Sequence, residues 1–179
     1  MKSETSDCFD SAIRDEKKGK KHKGLLIIKP NIQTAEDYIL KAKKNLELCE
    51  LYKRSGFEYK IPEEWFYTLY YCALAILAKF GIESRSQKCT ASFLRYVKNC
   101  GLIEYNDEFI DRITVYKDKD EKSDVDEREK ARYSSSIKCE EISAKFDYMN
   151  NICKSAISQC EDIIYSSSEL KVPEELIPE

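Results

Sequence analysis

Apolar positions fall along this chain at three- and four-residue steps, and the steps predict helices almost throughout. Ala35, Tyr38, Ile39, Ala42, Leu46, Cys49 and Tyr52 mark one helix over about 35 to 54, with Thr34 and Asp37 as its capping pair and Gly56 as its stop. The next, over about 62 to 80, is apolar nearly all round, starts on Pro62-Glu63-Glu64 and ends at Gly81. A helix with no polar face belongs between other helices, which makes Trp65 to Phe80 the expected centre of the fold. Ser84 or Ser86 caps a third helix with Phe93, Leu94, Tyr96, Val97 and Cys100 inside, and Asn106 caps a short fourth containing Phe109, Ile110, Ile113 and Val115. The longest periodic run places Ile142, Phe146, Met149, Cys153, Ala156, Ile157, Cys160 and Ile164 on one stripe of a fifth helix over about 137 to 166.

Between these runs the pattern fails. Residues 1 to 29 read as a flexible Lys-rich arm and a strap: no periodicity through 23, then the brief apolar run Leu25 to Ile28, halted by Pro30. Residues 117 to 132 carry six basic and seven acidic side chains and little apolar besides Val125 and Ala131, a solvated connection that is helical at most in part. The tail 167 to 179, with four Glu and two Pro, reads as loose. The expected architecture is therefore all-α, an up-down bundle of four to five helices over 30 to 166.

Composition narrows the chemistry. At 179 residues, 42% hydrophobic, with 5 Gly and 4 Pro, the chain is of the size of one helix-rich domain and is neither collagen-like nor a turn-rich β-sandwich. A net charge of -3 offers no global attraction to polyanions, so any such contact must be local. The apolar stretch 65 to 78 would rise only about 21 Å as a helix, short of a hydrocarbon core of roughly 30 Å, and predicts no membrane partner. Eight cysteines without CxxC spacing, behind a polar N-terminus, read as reduced core thiols of a cytoplasmic protein, with no metal and no cofactor. One histidine, His22, rules out devices that need two. The glycine spacing at 19 and 24 imitates a phosphate loop, but Leu25 and Leu26 stand where Lys and Ser or Thr are required. Lys17, Lys18, Lys20, Lys21 and Lys23 can screen phosphates in a salt-sensitive way. Tyr67, Tyr70 and Tyr71 belong to the most apolar helix and read as core, although exposed rings can stack on bases.

Lys41-Ala42 and Asn45-Leu46, then Tyr70 through Ile82, then Ser84-Arg85-Ser86-Gln87 resemble the HEPN superfamily, whose second helix is rich in Tyr and Ala and is followed by a glycine and a Ser/Thr-His turn. Gln87 stands where that histidine often does. Phe93, Val97, Gly101 to Ile103 and Arg128 to Tyr133 are similar to the segments that follow, so the likeness covers about 30 to 165. It implies a helical bundle that commonly forms a homodimer and often works beside a minimal nucleotidyltransferase in toxin and antitoxin pairs. Many members are metal-independent endoribonucleases carrying Arg, four to six residues, then His. Here Arg128 is followed after four residues by Tyr133, and a phenol with an ordinary pKa near 10 is a poor general base at neutral pH. The expectation is thus a non-enzymatic module that binds RNA or a protein partner, with Arg128, Arg132, Tyr133 and the lysines as phosphate contacts. The alternatives are a toxin that cuts RNA through Arg128 and Tyr133, and a structural subunit for a nucleotidyltransferase.

Overall fold

A computed structural model of the chain describes residues 3–114, 124–133 and 139–179, without the side chains of Asp124, Glu127, Ala131 and Tyr133. Val115, residues 117–123 of the charged connection and the Ser134-Ser135-Ser136 run lie outside the described residues. In chain order the elements are α1 (Glu4–Lys17), β1 (Leu25–Ile27), α2 (Ile32–Ser55), α3 (Ile61–Phe80), β2 (Ile82–Ser84), α4 (Gln87–Asn99), α5 (Asp107–Ile113), α6 (Asp124–Tyr133) and α7 (Cys139–Tyr165). The fold is mostly all-α, as the periodicity predicts, with one small addition. β1 and β2 form an antiparallel pair in which Leu25 faces Ser84 and Ile27 faces Ile82.

The core is built on α3, which packs along α2, α7 and α6. Trp65, Phe66, Leu69, Cys72, Ile76 and Leu77 are all 2% exposed or less, because neighbours cover this helix on several sides. Several polar groups taken into that core find partners, although the buried Tyr105 hydroxyl has none among the described residues. The Trp65 indole donates to Asn150 Oδ1 at 2.9 Å, Thr68 donates to the Glu64 carbonyl at 2.8 Å, and the Cys160 thiol donates to the Cys72 carbonyl at 3.4 Å. Gly81 ends α3 with φ +80°, where a Cβ would also stand 2.5 Å from the Ile28 carbonyl oxygen. Glycine is thus required twice over, for the left-handed turn and for the close crossing of the strap.

Four sequence expectations need correction. The N-terminal segment is not a featureless arm: residues 4–17 form α1, capped by Ser3, with Thr5, Cys8, Phe9 and Ala12 buried. His22 is not on a floppy segment either but is 2% exposed, its Nε2 at 2.9 Å from Glu83 Oε1. The cysteines are not all reduced core thiols, because Cys8 and Cys89 form a disulfide between α1 and α4 and Cys100, expected inside, is exposed. The tail is not loose: Leu176, 2% exposed, plugs into the core beside α1, and the Tyr96 hydroxyl donates to Glu175 at 2.7 Å. A smaller shift concerns α2, which begins at Ile32 because Asn31, held extended after Pro30, accepts from the Thr34 N–H at 3.0 Å.

Candidate functional site

The lysines and the arginines expected to contact phosphate stand on different elements. Lys17 closes α1, and Lys18, Lys20, Lys21 and Lys23 follow on an exposed turn in which Asp15 accepts the N–H groups of Lys18 and Lys20 on its carbonyl and that of Lys23 on its side chain. α1 packs on β1 and α4, whereas α6, the bearer of the arginines, packs on α3 and α5. Arg132 is exposed on α6 and lies 3.7 Å from Glu63. The side chain of Tyr133 lies outside the described residues. Arg128 is different: its side chain is only 12% exposed and its guanidinium carbon sits 4.3 Å from the Phe66 ring centre and 5.7 Å from that of Tyr67. Among the described residues, the carboxylate paired with it is Glu129, at 4.0 Å. Stacking on α3, rather than a tight carboxylate pair, holds this arginine.

Around Arg128 runs a ladder of aromatic rings. Tyr38 on α2 stacks on Tyr71 on α3 with centres 6.0 Å apart, Tyr71 stacks on Tyr67 at 5.9 Å, and Tyr67 meets Phe66 edge-on at 5.3 Å. Phe66 stacks in turn on Tyr70 at 5.7 Å. The spacing explains the row, since Tyr67 and Tyr71 stand four residues apart on one helix face and Tyr38 reaches them from the neighbouring helix. Phe66 is fully enclosed, but Tyr38, Tyr67, Tyr70 and Tyr71 keep part of their surface in solvent. The purely core role expected for the tyrosines is therefore only half met.

Two cations lie against the ladder. Lys41 Nζ lies 5.7 Å from the Tyr38 ring centre and 5.6 Å from that of Tyr71, one turn along α2 from Tyr38, while Arg128 covers Phe66. Acids are present as well: Glu63 faces Arg132, and Glu64 is half-buried with Asn45 Nδ2 donating to it at 2.5 Å. Burial pushes the Glu64 carboxyl above its ordinary range, more than the Asn45 hydrogen bond lowers it. The phenols of Tyr38, Tyr70 and Tyr71 are likewise pushed up, chiefly by burial, so each is a neutral hydroxyl at neutral pH. A row of neutral phenols flanked by fixed positive charge can stack on flat rings and donate hydrogen bonds. The phenols themselves keep their protons at neutral pH and are poor proton acceptors.

Periodicity and the family resemblance name Tyr38 and Lys41 but give neither a contact role, because a periodic pattern assigns a residue to a side of a helix without saying how completely its neighbours cover it. The signal that was available is the pair of four-residue steps, Lys41 to Asn45 and Tyr67 to Tyr71, on two adjacent helices. Among the described residues, no group of three His, Cys, Asp or Glu side chains is placed to hold a metal ion, and no helix is long and apolar enough to cross a membrane. No family model, curated protein or solved structure matches the chain.

Proposed function

We infer that the chain is a non-enzymatic, HEPN-like helical module that binds single-stranded RNA across the tyrosine ladder. The observation that carries this reading is the ladder itself, four partly exposed tyrosines across α2 and α3 joined through Phe66, with Lys41 against Tyr38 and Tyr71 and Arg128 against Phe66 and Tyr67. Unstacked bases find ring faces there, and the flanking charges favour the backbone that joins them. Arg128 supports binding over cutting. With its guanidinium laid on Phe66 and little of it exposed, it braces α6 against α3 instead of reaching out to a scissile phosphate. The raised phenols point the same way, because a hydroxyl that keeps its proton cannot take one from a 2′-hydroxyl. The basic turn from Lys17 to Lys23 adds general attraction from a different part of the surface.

Fluorescence anisotropy with labelled RNA oligomers, in chelator and at stepped salt, tests the reading. Tyr71→Leu should weaken binding by about 1 to 3 kcal/mol, as expected for one lost base stack. Lys41→Ala should reduce the salt slope by roughly one phosphate contact. If wild-type protein degrades RNA in chelator and Arg128→Ala abolishes that while the helical signal persists, the endoribonuclease toxin is the correct reading. If no RNA binds even at low salt, a nucleotidyltransferase assembly subunit takes its place, and a homodimer then becomes the first assembly to measure.

A further inference from the structure

A second surface lies away from the ladder and has the opposite character. Ten large apolar side chains remain exposed among the described residues, and five of them, Ile27, Ile28, Ile32, Leu102 and Ile177, are 38 to 48% exposed around one cleft. That cleft has a volume of 1010 Å³ and runs between β1, the start of α2, the end of α3 and the C-terminal segment. A second depression of 740 Å³ adjoins it, the two sharing Leu102, Ser168 and Leu170. Together they make a trough longer than a compact ligand needs, aliphatic in its first part and mixed in its second, where Glu104, Asn106, Gln159 and Asp162 join Leu102 and Leu170. Aliphatic side chains gathered in this way on an otherwise polar surface mark a place where another apolar surface lands.

The charges along the trough say what kind of surface that is. Each lysine at its edge is already engaged: Lys79 donates to the Ile164 and Ser166 carbonyls at 2.9 and 3.4 Å, Lys98 pairs with Asp107 at 2.5 Å, and Lys171 pairs with Glu169 at 3.4 Å. Glu104, Asp162 and Glu174 are exposed and have no ion-pair partner among the described residues. The trough thus presents aliphatic walls under a net acidic rim. Charge complementarity calls for cations on the occupant, and the walls call for aliphatic anchors.

We propose that this trough docks a protein segment combining aliphatic anchors with Lys or Arg, a basic amphipathic stretch of a partner chain. The ladder and the trough use different residues, so this docking does not depend on the RNA reading. An anionic amphiphile is disfavoured by the rim, and a second copy of the chain would have to bring its own basic, aliphatic segment to the same place. The Lys17 to Lys23 turn has the charge for that but no exposed aliphatic anchor beyond the trough's own Ile27 and Ile28.

The test uses the full chain and two labelled synthetic peptides, one repeating Leu-Lys-Lys-Leu and the other with every Lys replaced by Glu, read by anisotropy. The basic peptide should bind, and the acidic one should bind at least about tenfold more weakly. Ile32→Asn and Leu102→Asn, both at exposed positions where the fold should survive, should each cost the basic peptide about tenfold, while Lys41→Ala on the ladder should leave it unchanged. Equal binding of the two peptides, or of the basic peptide to wild type and both Asn variants, would overturn the proposal. So would a homodimer in sedimentation that Ile32→Asn dissociates, because the trough would then be a self-association face.

Discussion

α3 and α1 are held in the fold by different means. α3 places 14 of its 20 residues in the interior and needs no special fastening, because α2, α6 and α7 cover it from several sides. α1 buries only four side chains of its 14 residues. It is fixed instead by separate links to α4: the Cys8–Cys89 disulfide, an edge-to-face contact of Phe9 with Phe93 at 6.2 Å, a 2.8 Å hydrogen bond between Thr5 and Ser92, and a 2.7 Å pair between Lys88 and Glu4. Just after it, His22 reaches Glu83 on β2. Where apolar area is large, attachment is spread over many atoms and no single link decides it. Where area is small, a few named links carry the element.

The sharpest way to break this contrast is to cut into α3. Leu77→Ala, at a side chain with no exposure, should lower stability by about 3 to 5 kcal/mol, read as a shift in the urea midpoint at constant slope. An unchanged midpoint would mean that α3 is not enclosed as described. Next comes the covalent link. Cys8→Ser should cost about 2 to 4 kcal/mol, since the disulfide closes a loop 81 residues long. Wild type in reductant should move to the same midpoint as this variant, and trypsin should then cut faster at the Lys17 to Lys23 turn. A midpoint indifferent to reductant would remove the disulfide from the account.

Smaller effects sharpen the same comparison. Ser86 accepts the Cys89 N–H at 3.2 Å and so caps the helix that anchors α1. Ser86→Ala should cost about 1 kcal/mol, and amide exchange in α1 should rise along with that in α4. The least costly link is Glu83, held below its ordinary carboxylate range first by the hydrogen bond with His22 and then by Arg85. A lowered folded pKa contributes stability above the ordinary carboxylate range, and that contribution is lost as the pH falls through the folded value. Acid titration of the urea midpoint should therefore fall less steeply for Glu83→Gln than for wild type. Parallel curves would remove Glu83 from the linkage.

How much was legible follows the same division. α3, α4, α5 and α7 match the helices expected from periodicity, and Gly56, Gly81, Ser86 and Asn106 act at the ends assigned to them. α1 was missed although Thr5, Cys8, Phe9 and Ala12 carry a helical three- and four-residue step. The signal is short, only Phe9 is large, and the like charges that follow suggested an arm that resists compaction. The short apolar run of the strap is visible in the sequence, but its strand pairing depends on Ile82 to Ser84, which lie more than fifty residues away. Of the candidate site, Arg128 was flagged for phosphate and found under the ladder's Phe66, while Tyr38 and Lys41 gained their place only through the crossing of α2 on α3.

The pattern of side chains by itself determined the helical class, the central helix and most helix ends. Those properties follow from local backbone preferences and from the period at which apolar groups recur, and both are written within a few turns of chain. Tertiary structure alone decided that Cys8 meets Cys89, that His22 is buried against Glu83, that the tail seats Leu176, and that tyrosines on two helices line up beside Lys41 and Arg128. Each of these joins residues distant in sequence, and only the packing of whole helices brings such residues within bonding or stacking distance.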